Sequence, residues 1–169
     1  MPIPPFKVIT LDLVAGLLKL EGSDAVLVVM DKLMKYVSYI PTTKTLNQEG
    51  FAKLFVKHIV HHFGLPRGMV TDRDPHWAKT FWALVAMALG LELLLSTSHH
   101  PQTEGQSKRV IQHLVIGLRV FLKANHSSWA KWLSKLSFTY NSTSLPAMGE
   151  SPFYLLHGFI SVHSSNTPH

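Results

Sequence analysis

Cysteine is absent from these 169 residues, which excludes disulfides, Cys-ligated zinc and thiol catalysis. Acidic residues are few: ten Asp and Glu stand against sixteen Lys and Arg, a formal net charge of +6. That balance suits an anionic partner, and nucleic acid is the commonest one. No apolar run approaches the roughly 20 residues of a membrane span. The opening Met1-Pro2-Ile3-Pro4-Pro5 is neither a signal nor a transit peptide. Without a secretory signal, the glycosylation patterns at Asn125-His126-Ser127 and Asn141-Ser142-Thr143 are expected to be chance matches.

What the chain has is apolar patterning. Hydrophobic residues make up 46% of it, with four Trp and nine Phe, enough for one packed domain. Lys7 to Leu13 reads as an apolar, β-branched strand with one Asp inside. Ala25 to Met30 is a near-continuous apolar run, hence a buried strand. Tyr36 to Ile40 alternates and is predicted to stop at Pro41. Short connections make these three an antiparallel meander. Thr45-x-x-Gln48 predicts a capping box, opening a helix through Phe51, Leu54, Phe55, His58, Ile59 and Phe63 to Gly64. Gly68 to Thr71 reads as a fourth strand ending in Asp72. Asp74-Pro75 caps a helix through Trp77, Phe81, Trp82, Val85 and Leu89, closed by Gly90. Leu91 to Leu95 is predicted as a fifth strand. A long helix follows from Thr103 to about Lys123. Ser127 or Ser128 then caps another with a stripe at Trp129, Trp132, Leu133, Leu136 and Tyr140, and Ser151 to Leu156 adds a last helical turn. The domain is expected to span 1–160, with 161–169 as a disordered tail.

This order, with the fourth and fifth strands each following a helix, predicts an α/β, ribonuclease-H-like fold. Its sheet is mixed and five-stranded, three antiparallel strands then two parallel, flanked by helices. Such folds carry metal-bound carboxylates on the first and fourth strands and on a late helix. Asp12, inside an apolar strand, is costly to ionise there unless paired or metal-bound. Asp72, at a strand's C-terminal end, stands where open α/β sheets place ligands. Each taken alone has a plainer reading: Asp12 as a turn or edge residue, Asp72 as a helix cap or salt-bridge partner. Together they suit two-metal phosphoryl transfer, in which carboxylates hold the ions that activate the attacking oxygen and stabilise the leaving one.

Several motifs, in order, resemble the integrase core of gypsy-class LTR retrotransposons and retroviruses. Pro2-Ile3-Pro4-Pro5 with Ile9-Thr10-Leu11-Asp12-Leu13-Val14-x-Gly16-Leu17 resembles the first catalytic strand, and Asp24 to Lys32 the second strand. His62-Phe63-Gly64-Leu65-Pro66 and Val70-Thr71-Asp72-Arg73-Asp74-Pro75-His76-Trp77 are similar to the loop and strand bearing the second Asp. His100-Pro101-Gln102-Thr103-Glu104-Gly105-Gln106-Ser107-Lys108-Arg109-Val110 is similar to H-P-Q-T-D-G-Q-[ST]-E-R-[VT]. Tyr140-Asn141-Ser142-Thr143 and Ser151-Pro152-Phe153 with Leu156-His157-Gly158 match the C-terminal signature.

The resemblance implies Asp12 and Asp72 as metal ligands for Mg²⁺ or Mn²⁺, and His100, Gln102, Lys108 and Arg109 as residues facing nucleic acid. The partner it implies is DNA, with RNA the other nucleic acid open to it. It also implies a homodimer, a nuclear location if functional, and a fragment of a longer polyprotein. The third carboxylate is missing: Lys108, 36 residues after Asp72, occupies its position. Three carboxylates become two plus an ammonium, so divalent affinity is expected to weaken or vanish. Two uses are open to Glu104, one turn earlier: substitute ligand, or i,i+4 partner of Lys108, the second being favoured. One use open to Lys108 itself is to pair with Asp72 or Asp12 and fill the empty site. His58, His61 and His62 cluster, but zinc is not expected without Cys. The expected activity is therefore DNA integration in relatives and none in this copy. The alternative is a catalytically dead, domesticated module that binds nucleic acid or dimerises. A different ribonuclease-H-like nuclease fits the loop and the spacing less well.

Overall fold

The computed structural model describes residues 6–16, 22–90, 105–124 and 129–158, with the side chains of 105–107, 121–124 and 129–130 outside that description. Four strands form one sheet: β1 (Val8–Val14), β2 (Ala25–Asp31), β3 (Val37–Thr42) and β4 (Gly68–Val70), in the order β3-β2-β1-β4. β1 pairs antiparallel with β2, β2 antiparallel with β3, and β4 parallel with β1. The described sheet thus has four strands rather than five. The expected fifth, 91–95, lies outside the described residues, as does the 161–169 tail.

Every residue of β2 is buried, as its unbroken apolar run requires of a strand covered on both faces. β3 runs through Pro41 instead of stopping there. It is an outer strand of the described sheet, where a missing N–H is tolerated. The outward-facing backbone of Val37 is covered by a side chain: its N–H donates to Asn141 Oδ1 at 2.8 Å, and its carbonyl accepts from Asn141 Nδ2 at 2.9 Å. Asn141 therefore behaves like one residue of an extra strand. It is 2% exposed, which removes it as a glycosylation acceptor.

One face of the sheet packs under α1 (Gln48–Phe55) and α3 (Pro75–Leu89), with Ile9, Leu11, Leu27, Val29 and Ile40 against Phe55, Phe81 and Trp82. A π-helical turn, Val56–Val60, and the short α2 (His61–Phe63) continue α1. The other face packs under α4 (Gly105–Ala124) and α5 (Trp129–Ser142). There Val26, Val28, Met30, Val37 and Tyr39 meet Val110, Leu114, Leu118, Leu133, Leu136 and Tyr140. Alternation along the strands produces this division. The two helices lie close because Gly117 has no Cβ: one would stand 2.3 Å from a Leu136 methyl. The short α6 (Pro152–His157) closes the described chain, capped by Ser151.

The expected capping box does not form. Asn47 caps α1, accepting from Gly50 N–H at 2.8 Å, while Gln48 donates across to the Trp77 carbonyl at 2.9 Å. Asn is the stronger cap, and Gln48 gains a partner on a neighbouring helix. Asp74 caps α3 through Trp77 N–H at 2.8 Å, with Pro75 in the first turn and Gly90 left-handed at the end.

Candidate functional site: a carboxylate pair beside a stacked arginine

The parallel register places the two acids. Thr10 pairs with Val70; Asp12 lies two residues further along β1, and Asp72 two residues past the end of β4, close enough for its carboxylate to act on Asp12. Burial, and the Asp72 carboxylate beside it, push the Asp12 carboxyl up from 3.8 to about 6. The Asp72 carboxyl and backbone both lie in hydrogen-bonding range of Asp12, the backbone favouring its charged form. The Arg73 guanidinium also acts on Asp12 and lowers it. Asp72 itself is exposed and Asp12 half-buried, so the pair opens to solvent at the end of the sheet.

Two facing carboxyls that resist joint ionisation fit a hard divalent cation, which relieves their repulsion and accepts water in its other positions. Asp12 and Asp72 are the residues that would hold it. Among the described residues, no three His, Asp or Glu side chains converge on one metal position.

Lys108 lies in the first turn of α4, exposed. Asp12 pairs in register with Val28, and Val28 packs under α4. Lys108 thus belongs to the helix covering the face that bears Asp12. The charges acting on Asp12 are those of Asp72 and Arg73. Arg109 is likewise exposed on α4. His100, Gln102 and Glu104 lie outside the described residues.

Reasoning from the sequence missed Arg73 as a member of this group. Its guanidinium lies over the Trp77 ring, 5.4 Å from the centroid. The signal was an arginine four residues before a tryptophan across a helix start, a spacing that brings side chains together.

No protein-family model matches the chain. It is 26% identical over 162 residues to the Tf2-3 and Tf2-4 transposon polyproteins of Schizosaccharomyces pombe (strain 972 / ATCC 24843). The match covers 94% of this chain and 12% of theirs, so the chain spans about an eighth of the polyproteins it resembles. Its fold superposes on a chain of the simian T-cell lymphotropic virus intasome in complex with PP2A regulatory subunit B56 gamma. There the TM-score is 0.69 and the identity 19%, covering 99% of this chain and 58% of that one. It also superposes on the HTLV-2 integrase catalytic core domain in complex with magnesium, in its trimeric form, at a TM-score of 0.65 and 16% identity. That match covers 93% of this chain and 100% of that one.

Proposed function

Because this chain is an integrase catalytic-core-like domain of the kind found in retroelement polyproteins, we propose that it binds DNA through a site reduced to one divalent cation, and joins no strands. The observation that carries this reading is the neighbouring Asp12–Asp72 pair, with Lys108 where the resemblance requires a third carboxylate. The finer sequence expectations belong to the same reading. Asp12 and Asp72 are the ligands, and Mg²⁺ or Mn²⁺ is the ion. His100, Gln102, Lys108 and Arg109 face the nucleic acid, and 1–160 is the domain.

When bound, the cation would supply Lewis acidity at a phosphate oxygen. The chain's own contribution is orientation and charge. Asp12 and Asp72 fix one coordination edge at the mouth of the sheet. The resemblance gives phosphoryl transfer a third carboxylate at the start of α4; Lys108 offers an ammonium there and cannot ligate. Its charge favours phosphate contact over metal capture. A joining reaction would place the parent protein in the nucleus, beside chromosomal DNA.

Self-association is part of this proposal too. The HTLV-2 core was solved in trimeric and dimeric forms, and α4 of this chain exposes Ile116 and Val120 one turn apart.

The test is direct. With a labelled DNA end and Mg²⁺ or Mn²⁺, the chain should give no strand-transfer product; robust joining would overturn the reading. Lys108→Glu should raise Mn²⁺ affinity by calorimetry at least about tenfold, since it changes the charge by two units at the position where the resemblance requires the third carboxylate.

A further inference from the structure

Arg73 is built into the site more firmly than a surface arginine. Its backbone N–H donates to Thr71 Oγ1 at 3.2 Å, and Thr71 is buried. The Trp77 ring beneath the guanidinium stacks on Phe81 at 5.2 Å and 8°, and Phe81 is fully buried. The backbone of Trp77 is held at both ends, its N–H by Asp74 and its carbonyl by Gln48. The platform is thus tied to α1, to the start of α3 and to the core. A guanidinium resting on an aromatic face keeps its planar edge available for bidentate hydrogen bonding to an oxyanion.

We propose that Arg73, held on the Trp77 indole beside Asp12 and Asp72, is a phosphate-binding residue of this site and takes one phosphodiester group of a nucleic acid chain. Charge supports the assignment. Two carboxylates and one divalent cation cancel, which leaves the guanidinium to match the single negative charge of one phosphodiester. In a site with fewer carboxylates than two-metal chemistry uses, a fixed arginine supplies positive charge with no need of a further ligand. The proposal rests on the reading that this site receives nucleic acid.

The experiment measures binding of a fluorescein-labelled duplex DNA by anisotropy, in Mg²⁺, across a salt series. Arg73→Gln should weaken binding about tenfold and reduce the slope of log affinity against log salt by about one. Arg73→Lys should keep that slope while recovering only part of the affinity, because lysine carries the charge without the planar fork. Trp77→Leu should weaken binding less than Arg73→Gln, since it loosens the guanidinium without removing it. Mn²⁺ affinity of Arg73→Gln, by calorimetry, should hold or rise, as a cation has left the pair. Wild-type affinity and slope in Arg73→Gln would overturn the inference alone. So would loss of Mn²⁺ binding together with melting temperature, which would mark Arg73 as structural. Absence of DNA binding by the wild-type chain would overturn the reading beneath it and the inference with it.

Discussion

At the residue scale, Asp12 makes the most specific demand. Its carboxyl titrates near 6 in the folded chain against an ordinary 3.8. The folded state therefore holds the proton more tightly than the unfolded one. The sign follows: the contribution of Asp12 to stability is greatest below about pH 4, falls as pH rises towards 6, and stays reduced above it. Asp12→Asn removes that loss. In EDTA at pH 7 the variant should be more stable than wild type by about 2 kcal/mol, a shift of this size being discounted for partial exposure. At pH 3.5 the two should coincide. Urea unfolding at both pH values checks this, and equal stabilities at pH 7 would show that neither burial nor Asp72 makes ionised Asp12 costly in the fold. Asp31 shows the contrasting fate of a carboxylate. Buried at the end of β2, it accepts the N–H groups of Phe6, Leu33 and Met34, so its position is explained by the turn it closes.

At the element scale, one side chain hydrogen-bonds α5 to the sheet. Asn141 pairs with both backbone groups of Val37 in a buried setting. Asn141→Ala should cost about 2–4 kcal/mol, since two buried polar groups lose their partners. Asn141→Asp should not recover it: a carboxylate can accept from the Val37 N–H but cannot donate to the Val37 carbonyl. Chemical denaturation of the three proteins measures the effect, and a cost under about 0.5 kcal/mol for Asn141→Ala would show water replacing the amide. Helix stripes and the cap of α3 were legible beforehand because they follow from local spacing. The capping partner of α1 was not, because Gln48 is drawn away by a carbonyl on another helix. Nor was the continuation of β3 through Pro41, which depends on β3 lying at the outside of the described sheet.

At the scale of the whole molecule, the carboxylate pair links β1 to β4, strands brought together only by the crossover through α1. A cation held there binds the folded chain and not the unfolded one. Added Mg²⁺ or Mn²⁺ should therefore raise the melting temperature of the wild-type chain at pH 7, approaching about 2.7 kcal/mol at a hundred times the dissociation constant. Asp12→Asn should show no such gain. Calorimetric scans with and without the ion decide it, and an equal gain in the variant would place cation binding elsewhere. The net charge of +6 acts at this scale too, favouring encounter with a polyanion without choosing where it docks.

The sequence by itself determined the order of the described strands and helices, the apolar faces, the cap at Asp74, and the substitution of Lys108 for an acid. Each is written in local spacing or in the identity of one residue. Only the tertiary structure decided that Asp12 and Asp72 face each other, because their proximity depends on the parallel register of β1 and β4. It likewise assigned Arg73, rather than Lys108, as the cation acting on Asp12. That choice turns on where Trp77 is pinned by Phe81, Asp74 and Gln48, contacts between elements far apart in the chain.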